Sequence, residues 1–373
     1  MVPTSAEPIG LFLCGDVMTG RGIDQALPHP GNPVLYEPYI RDARHYVRLA
    51  ERAGGPIARP VDFAYIWGDA LGPLLQAGLD VRIVNLETSI TASEDAWPGK
   101  GIHYRMHPRN IGCLTAAHLD CCCLANNHVL DWGYAGLTET LQTLDRVGIA
   151  RAGAGENAAA AAAPAVLEVP AKGRILVFSL GTTTSGIPRE WAAADDRPGV
   201  NLLEDLSDET AQCVAAQIRR AKQPGDIVVV SIHWGGNWGY EIPPDQIHFA
   251  HRLVEEGADI IHGHSSHHVK AIEVYRDHLI LYGCGDFLDD YEGISGYEIF
   301  RTDLRLMYLV RVDPLQGRLE EVRLIPLQVE RFRLHRASAA DVSWLCSLLN
   351  GLGAPFGTRV QMADEHSMIL RWP

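Results

Sequence analysis

Basic charge is in short supply in this sequence: 32 Lys and Arg stand against 46 Asp and Glu, which gives 373 residues a net charge of −14. No stripe of Lys or Arg stands out, so the counterion release that drives nucleic-acid binding has no source. Long apolar runs are missing as well, since nowhere do eighteen apolar residues follow one another, and Met1–Gly10 lacks a basic start leading into an apolar segment. The chain is therefore expected to be cytoplasmic, with neither a membrane nor a nucleic-acid partner. Eight cysteines lie at 14, 113, 121, 122, 123, 213, 284 and 346 without a Cys-x-x-Cys pair. Reduced, buried thiols fit that spacing better than a zinc knuckle or a disulfide framework. A hydrophobic content of 47% describes a globular chain with a sizeable core.

Histidine, by contrast, is abundant and placed with a pattern. In Asp259–His268 four histidines fall within seven positions, straight after a short apolar run. Val228–His233 repeats the arrangement, and Cys122–His128 does so again. Carboxylates close similar runs: Ile9–Cys14 leads to Asp16, Asp80–Val84 leads to Glu87, and His278–Cys284 leads to Asp286. Strands that each end on a ligand-type side chain build a site.

Around these runs, helical spacing marks Tyr65–Gln76, Tyr134–Val147, Asp208–Ala221 and Asp245–Glu256, with a short alanine-rich helix capped by Asn157. Strands alternating with helices indicate α/β layering. Residues 28–60, rich in Pro, Gly and Arg, read as a long surface excursion. From Leu304 onward the pattern changes to a hairpin, Leu306–Val312 and Glu320–Ile325, followed by a helix at Ala339–Leu349 and a last strand at Met368–Trp372.

Five motifs occur in one order over about residues 9–290: Gly15-Asp16, Asn85-Leu86-Glu87, Asn126-Asn127-His128, His233-Trp234-Gly235 and Gly263-His264-Ser265-Ser266-His267. That order resembles the CapA/PgsA-like family, named for poly-γ-glutamate capsule synthesis, within the calcineurin-like metallophosphatase superfamily. The resemblance implies an α/β fold, a four-layer αββα sandwich. It places a metal-binding core over residues 1–290 and a small C-terminal β-hairpin and helix appendage over 291–373.

The resemblance also implies site roles. Glu87, Asn127, His233 and His264 match the ligands of one divalent cation, Ca²⁺, Mn²⁺ or Zn²⁺, with no organic cofactor. Asp16 and His267 match ligands of a neighbouring metal position, and His128 matches the superfamily's proton donor. The superfamily's first motif is Asp-x-His, whereas this chain reads Asp16-Val17-Met18, and a thioether is a poor ligand for a hard cation. A single metal is therefore expected, which leaves Asp16 with His267, and His128 with Asp131, as two acid/base pairs.

Such pairs suit inversion of a Cα centre. A branch of the family associated with lasso-peptide biosynthesis epimerises a terminal residue, and the chain resembles it in lacking an anchor. The expected function is thus a metal-dependent epimerase of a ribosomal precursor peptide. The alternative is a metal-dependent hydrolase of a phosphoester or of a poly-γ-glutamate-type polymer. Trp132, Trp234 and Trp238 are candidate walls for an aromatic substrate residue, and Arg21 or Arg105 a candidate anchor for its carboxylate.

Overall fold

Alternation along the strands decides the architecture. In Ile9–Val17, Ile9, Leu11 and Leu13 join one apolar cluster while Phe12 and Cys14 join another. Asp226–His233 divides likewise: Ile227 and Val229 share the first of those clusters, and Val228, Val230 and Ile232 enter a third. A strand with apolar residues on both faces must be covered on both. The outcome is two sheets packed face to face with helices outside each, a calcineurin-like α/β sandwich. The computed structural model describes residues 7–373, so Met1–Ala6 of the stretch read for a leader lies outside the described residues.

The first sheet runs in the order Arg359–Asp364, Ser367–Arg371, Leu319–Glu330, Leu304–Val312, Ile9–Val17, Val81–Leu86, Cys121–Cys123, Ala150–Ala152. The second runs Ile272–Tyr275, His278–Leu281, Ile260–His264, Asp226–His233, Gly173–Gly181, Ala165–Val169. The central strands of each are parallel, so their carboxyl ends share one edge. Helices Asp208–Ala221 and Pro244–Glu255 contribute Ala211, Val214, Ile218, Phe249 and Leu253 to the outer face of the second sheet. No helix among the described residues is long and apolar enough to cross a membrane.

Two expectations change. The C-terminal hairpin is present, but it continues the first sheet instead of packing on it: Leu304–Val312 pairs antiparallel with Ile9–Val17 along five residue pairs. The excursion at 28–60 contains a helix, Arg44–Gly54, which buries Tyr46, Val47 and Ala50. Tyr46, Val47 and Ala50 fall on one face at helical spacing, a periodic stripe that the Pro, Gly and Arg content of the surrounding segment concealed.

One polar strut crosses the apolar seam. The pairing of Ile9–Val17 with Val81–Leu86 shifts register between Leu13 and Asp16, and such a bulge re-aims backbone groups. The Cys14 carbonyl lies 2.7 Å from His262 Nε2 of the other sheet. Gly15 is obligatory at this bulge, because a Cβ there would lie 1.7 Å from the Gly285 carbonyl oxygen.

Candidate metal centre and its two histidine pairs

The carboxyl ends of both sheets deliver the site. Asp16 is level with Asn85 and Asp286 in the first sheet, and His233 is level with His264 in the second. The turns that follow supply Glu87, Asn127, His128 and His267. Every one of these side chains is buried or nearly so, which is unusual for charged groups unless they are paired or bind a metal.

Asp16, His233 and His264 bring ligand atoms within 4.8 Å of one another. His233 Nδ1 and His264 Nδ1 approach to 2.8 Å, His233 Nε2 lies 3.0 Å from Asn127 Oδ1, and Glu87 Oε1 lies 3.8 Å from His233 Nε2. Asp16 Oδ1 lies 3.7 Å from His264 Nδ1. Buried Glu87 Oε2 has no hydrogen-bond partner. Burial, then the neighbouring Asp286, raises the Asp16 carboxyl to about 7, and burial with Asp16 raises Glu87 well above the carboxylate range. Burial and the nearby histidines hold His233 and His264 neutral.

This donor set fits a divalent cation. Two imidazole lone pairs at 2.8 Å need a proton or a cation between them, and crowded carboxylates stay protonated unless positive charge arrives. Oxygen and nitrogen donors in one cluster accept several metals. The expected set of Glu87, Asn127, His233 and His264 is brought together, and Asp16 joins it.

Two histidine–carboxylate pairs flank the cluster. His128 Nδ1 lies 2.6 Å from Asp131 Oδ2, with its Nε2 3.7 Å from Glu87. His267 Nδ1 lies 2.9 Å from Asp286 Oδ1. Asp16 was the expected partner of His267, but its carboxylate is taken by Asn85 Nδ2 at 2.7 Å and the Ser265 N–H at 3.1 Å. Ser265 holds φ +100°, a strained conformation for a non-glycine residue and one common at functional turns. Sequence reasoning also missed Lys100, whose ammonium donates to Asp131 and to the Ile102 carbonyl at 3.2 Å and lies 3.0 Å from His128 Nδ1. A cleft of about 310 Å³ opens between the pairs, lined by Glu87, Lys100, Asn127, His128, His267 and Tyr291 among others. A larger cleft of about 480 Å³ near Gly10 and Arg311 lies at the opposite strand ends, away from these groups.

The candidate anchors and walls fall differently. Arg21 is 3% exposed and bound to Asp290, to Glu37 at 2.9 Å and to Tyr46 at 3.0 Å. Arg105 stacks on Trp132, 3.8 Å from its ring centre, and donates to the Ser93 and Asn32 carbonyls. Both guanidinium groups are committed to the protein, which corrects their assignment as substrate anchors. Trp132 and Trp234 are core residues, with indole N–H groups on the Tyr104 and Tyr282 carbonyls at 3.0 Å each. Only Trp238 lies half-buried near the opening, 5.2 Å from the His267 ring. Met18 is wholly buried, with its sulfur 3.7 Å from the Tyr291 hydroxyl.

The family model described as bacterial capsule synthesis protein PGA_cap matches residues 10–291, a span that holds the donor cluster and both histidine pairs. A "Probable polyglutamine synthesis accessory protein" of Mycobacterium tuberculosis strain H37Rv is 50% identical over 355 residues, 95% of this chain and 93% of that one. "Capsule biosynthesis protein CapA" of Bacillus anthracis is 24% identical over 288 residues, covering 76% of this chain and 60% of the relative. "PGA biosynthesis protein CapA" of Bacillus subtilis is 27% identical, covering 77% and 64%. With its two-sheet fold, its donor cluster and these relatives, the chain belongs to the PGA_cap family of CapA-like proteins.

Proposed function

We propose that this protein is a metal-dependent hydrolase of a poly-γ-glutamate-type polymer. The observation that carries the reading is the pair of histidines with opposite proton preference on one cleft. Burial lowers His128 to about 4 despite Asp131, and Lys100 adds to the lowering. Burial also pulls on His267, but Asp286, helped by Asp16 and Asp289, outweighs it and raises that imidazole. The two rings are thus biased in opposite directions, His128 toward the free base and His267 toward the protonated form. The relatives' names, which concern capsule and polyglutamine synthesis, support a polymer of glutamyl units as the substrate class.

A divalent cation held by Glu87, Asn127, His233 and His264 with Asp16 supplies Lewis-acid polarisation of a carbonyl when bound. The residues do the rest. His128 takes a proton from the attacking water, with Asp131 holding the imidazole and stabilising its charged form. His267 gives its proton to the leaving nitrogen as the C–N bond breaks, and Asp286 keeps it charged until then. Lys100 steadies the Asp131 carboxylate. Met18, which fills the place of the superfamily's histidine, leaves phosphoester chemistry without a ligand for a second cation.

The same opposition of base and acid favours a second reading, inversion of a Cα bearing a carboxylate, as in the peptide epimerase expected from the sequence. One incubation separates the two. The metal-loaded protein is mixed in deuterated water with γ-linked glutamate oligomers or with a peptide bearing a free C-terminus. Shortened oligomers support hydrolysis, whereas deuterium at Cα with an intact chain replaces it with epimerisation.

A further inference from the structure

Beside His267, but outside the metal cluster, lies a group of polar atoms that nothing above uses. Lys270 is 5% exposed, and its ammonium has one long contact, 3.5 Å to the Glu241 carbonyl. No carboxylate among the described residues offsets the burial that lowers its proton affinity. His268, 3% exposed, lies with Nδ1 3.0 Å from the Val269 carbonyl, so Nδ1–H donates there and the Nε2 lone pair is left without a partner. The buried Tyr240 hydroxyl has no partner either. The Tyr240 and His268 rings are 4.6 Å apart.

Three such groups together are rare in a folded core, where buried polar atoms are paired and a buried charge is compensated. The lysine stem packs against Gly283, where a Cβ would lie 2.4 Å from Ser266 Oγ and 3.0 Å from Lys270 Cγ. Aromatic side chains pack around these groups. Phe300 stacks on His268 at 4.6 Å, and Trp238 stacks on Tyr297 at 3.8 Å, with Tyr297 43% exposed.

We propose that Lys270, Tyr240 and His268 form a subsite for an N-acyl amino-acid carboxylate, the unit –CO–NH–CH–COO⁻. The ammonium and the phenol donate to the carboxylate, and His268 Nε2 accepts the adjoining N–H. Each residue of a γ-linked glutamate polymer presents this unit, and so does the C-terminus of an ordinary peptide. The choice of the polymer rests on the function proposed above. Trp238 links the two places, its ring 5.2 Å from that of His267 and 6.2 Å from that of His268.

The test is calorimetric titration of the full, metal-loaded chain with three probes: γ-L-glutamyl trimer, N-acetyl-L-phenylalanine and the amide of the latter, which lacks the carboxylate. Lys270→Met and Lys270→Arg are compared with the parent. The trimer is expected to bind, the amide not to, and Lys270→Met to weaken the trimer roughly 10- to 100-fold, the scale of a lost charged hydrogen bond. Lys270→Arg should restore part of that affinity. Lys270→Met should keep its metal and melt at a higher temperature than the parent, because an uncompensated buried charge is gone. Equal affinity in Lys270→Met, a lower melting temperature with unchanged affinity, or no binding of either carboxylate by the parent overturns the subsite. Lys270-dependent binding of N-acetyl-phenylalanine alone keeps the subsite and removes the polymer reading. Equal trimer cleavage by Lys270→Met does the reverse.

Discussion

His128 and His267 have the same partner type at nearly the same distance, a carboxylate at 2.6 and 2.9 Å, yet their surroundings drive them apart. Around His128 the extra charges are positive, Lys100 and Arg21, and with burial they leave the ring neutral. Around His267 they are negative, Asp16 and Asp289 beyond its own partner, and they favour the charged ring. A His–Asp contact by itself therefore says nothing about acid or base. The sign of the next shell decides.

Removing the centre that both pairs serve has the largest expected effect. His264→Ala should lower metal affinity by more than about 100-fold, beyond the scale for losing an outer-shell partner, and turnover should fall with it. Elemental analysis should find one equivalent in the parent; two at full occupancy, or retained metal in the variant, contradicts the ligand set. Next come the pairs themselves. His128→Ala and His267→Ala should each cost roughly 10²-fold in kcat, with opposite pH signatures. A base that must be neutral loses activity as pH falls, so His128→Ala should erase the acid limb of the profile. A proton donor loses activity as pH rises, so His267→Ala should erase the alkaline limb. Matching limbs in the two variants would dissolve the distinction.

Asp286→Asn sharpens the comparison at smaller cost. The variant should lose roughly 10-fold in rate, in the outer-shell range, and its alkaline limb should move to lower pH because the imidazolium has lost its main support.

Protons and metal also compete at Asp16. Its native carboxyl is raised to about 7, above the unfolded value near 4, so metal-free protein holds this contribution to stability fully below about pH 4 and loses it as pH rises through about 7. Melting curves of metal-free protein should show that decline, and a bound cation should flatten it. The smallest effect belongs to Arg105, held by Trp132 and two carbonyls: Arg105→Lys should cost about 1–2 kcal/mol of stability and leave KM unchanged within error, and a raised KM would return Arg105 to the substrate.

Much of this was legible in the sequence because strand ends are local. An apolar run that stops at Asp16, Glu87, His233 or His264 announces both its burial and the side chain it delivers. His128 with Asp131 was readable for the same reason, being three residues apart. Partners set by register across strands were not readable. Asp286 reaches His267 because its strand lies beside Asp16, and Lys100 reaches Asp131 from a loop with no periodicity. Arg21 and Arg105 looked available because sequence cannot show that Asp290, Glu37 and two carbonyls already hold them. His262 and His264 lie two residues apart on one strand and share Ser231 Oγ, at 3.2 and 2.8 Å, yet His262 ends on the Cys14 carbonyl as a strut while His264 reaches the donor cluster.

The donor cluster draws Asp16 from one sheet and His233 and His264 from the other, and Glu87 and Asn127 follow strands of the first. Neither half of the chain holds a complete set. The order of events during folding follows: local strands and helices can form early, but an ion has nowhere to settle until the two halves have docked and the last core strand has been laid beside Asp16. Metal loading is then expected to report on finished assembly.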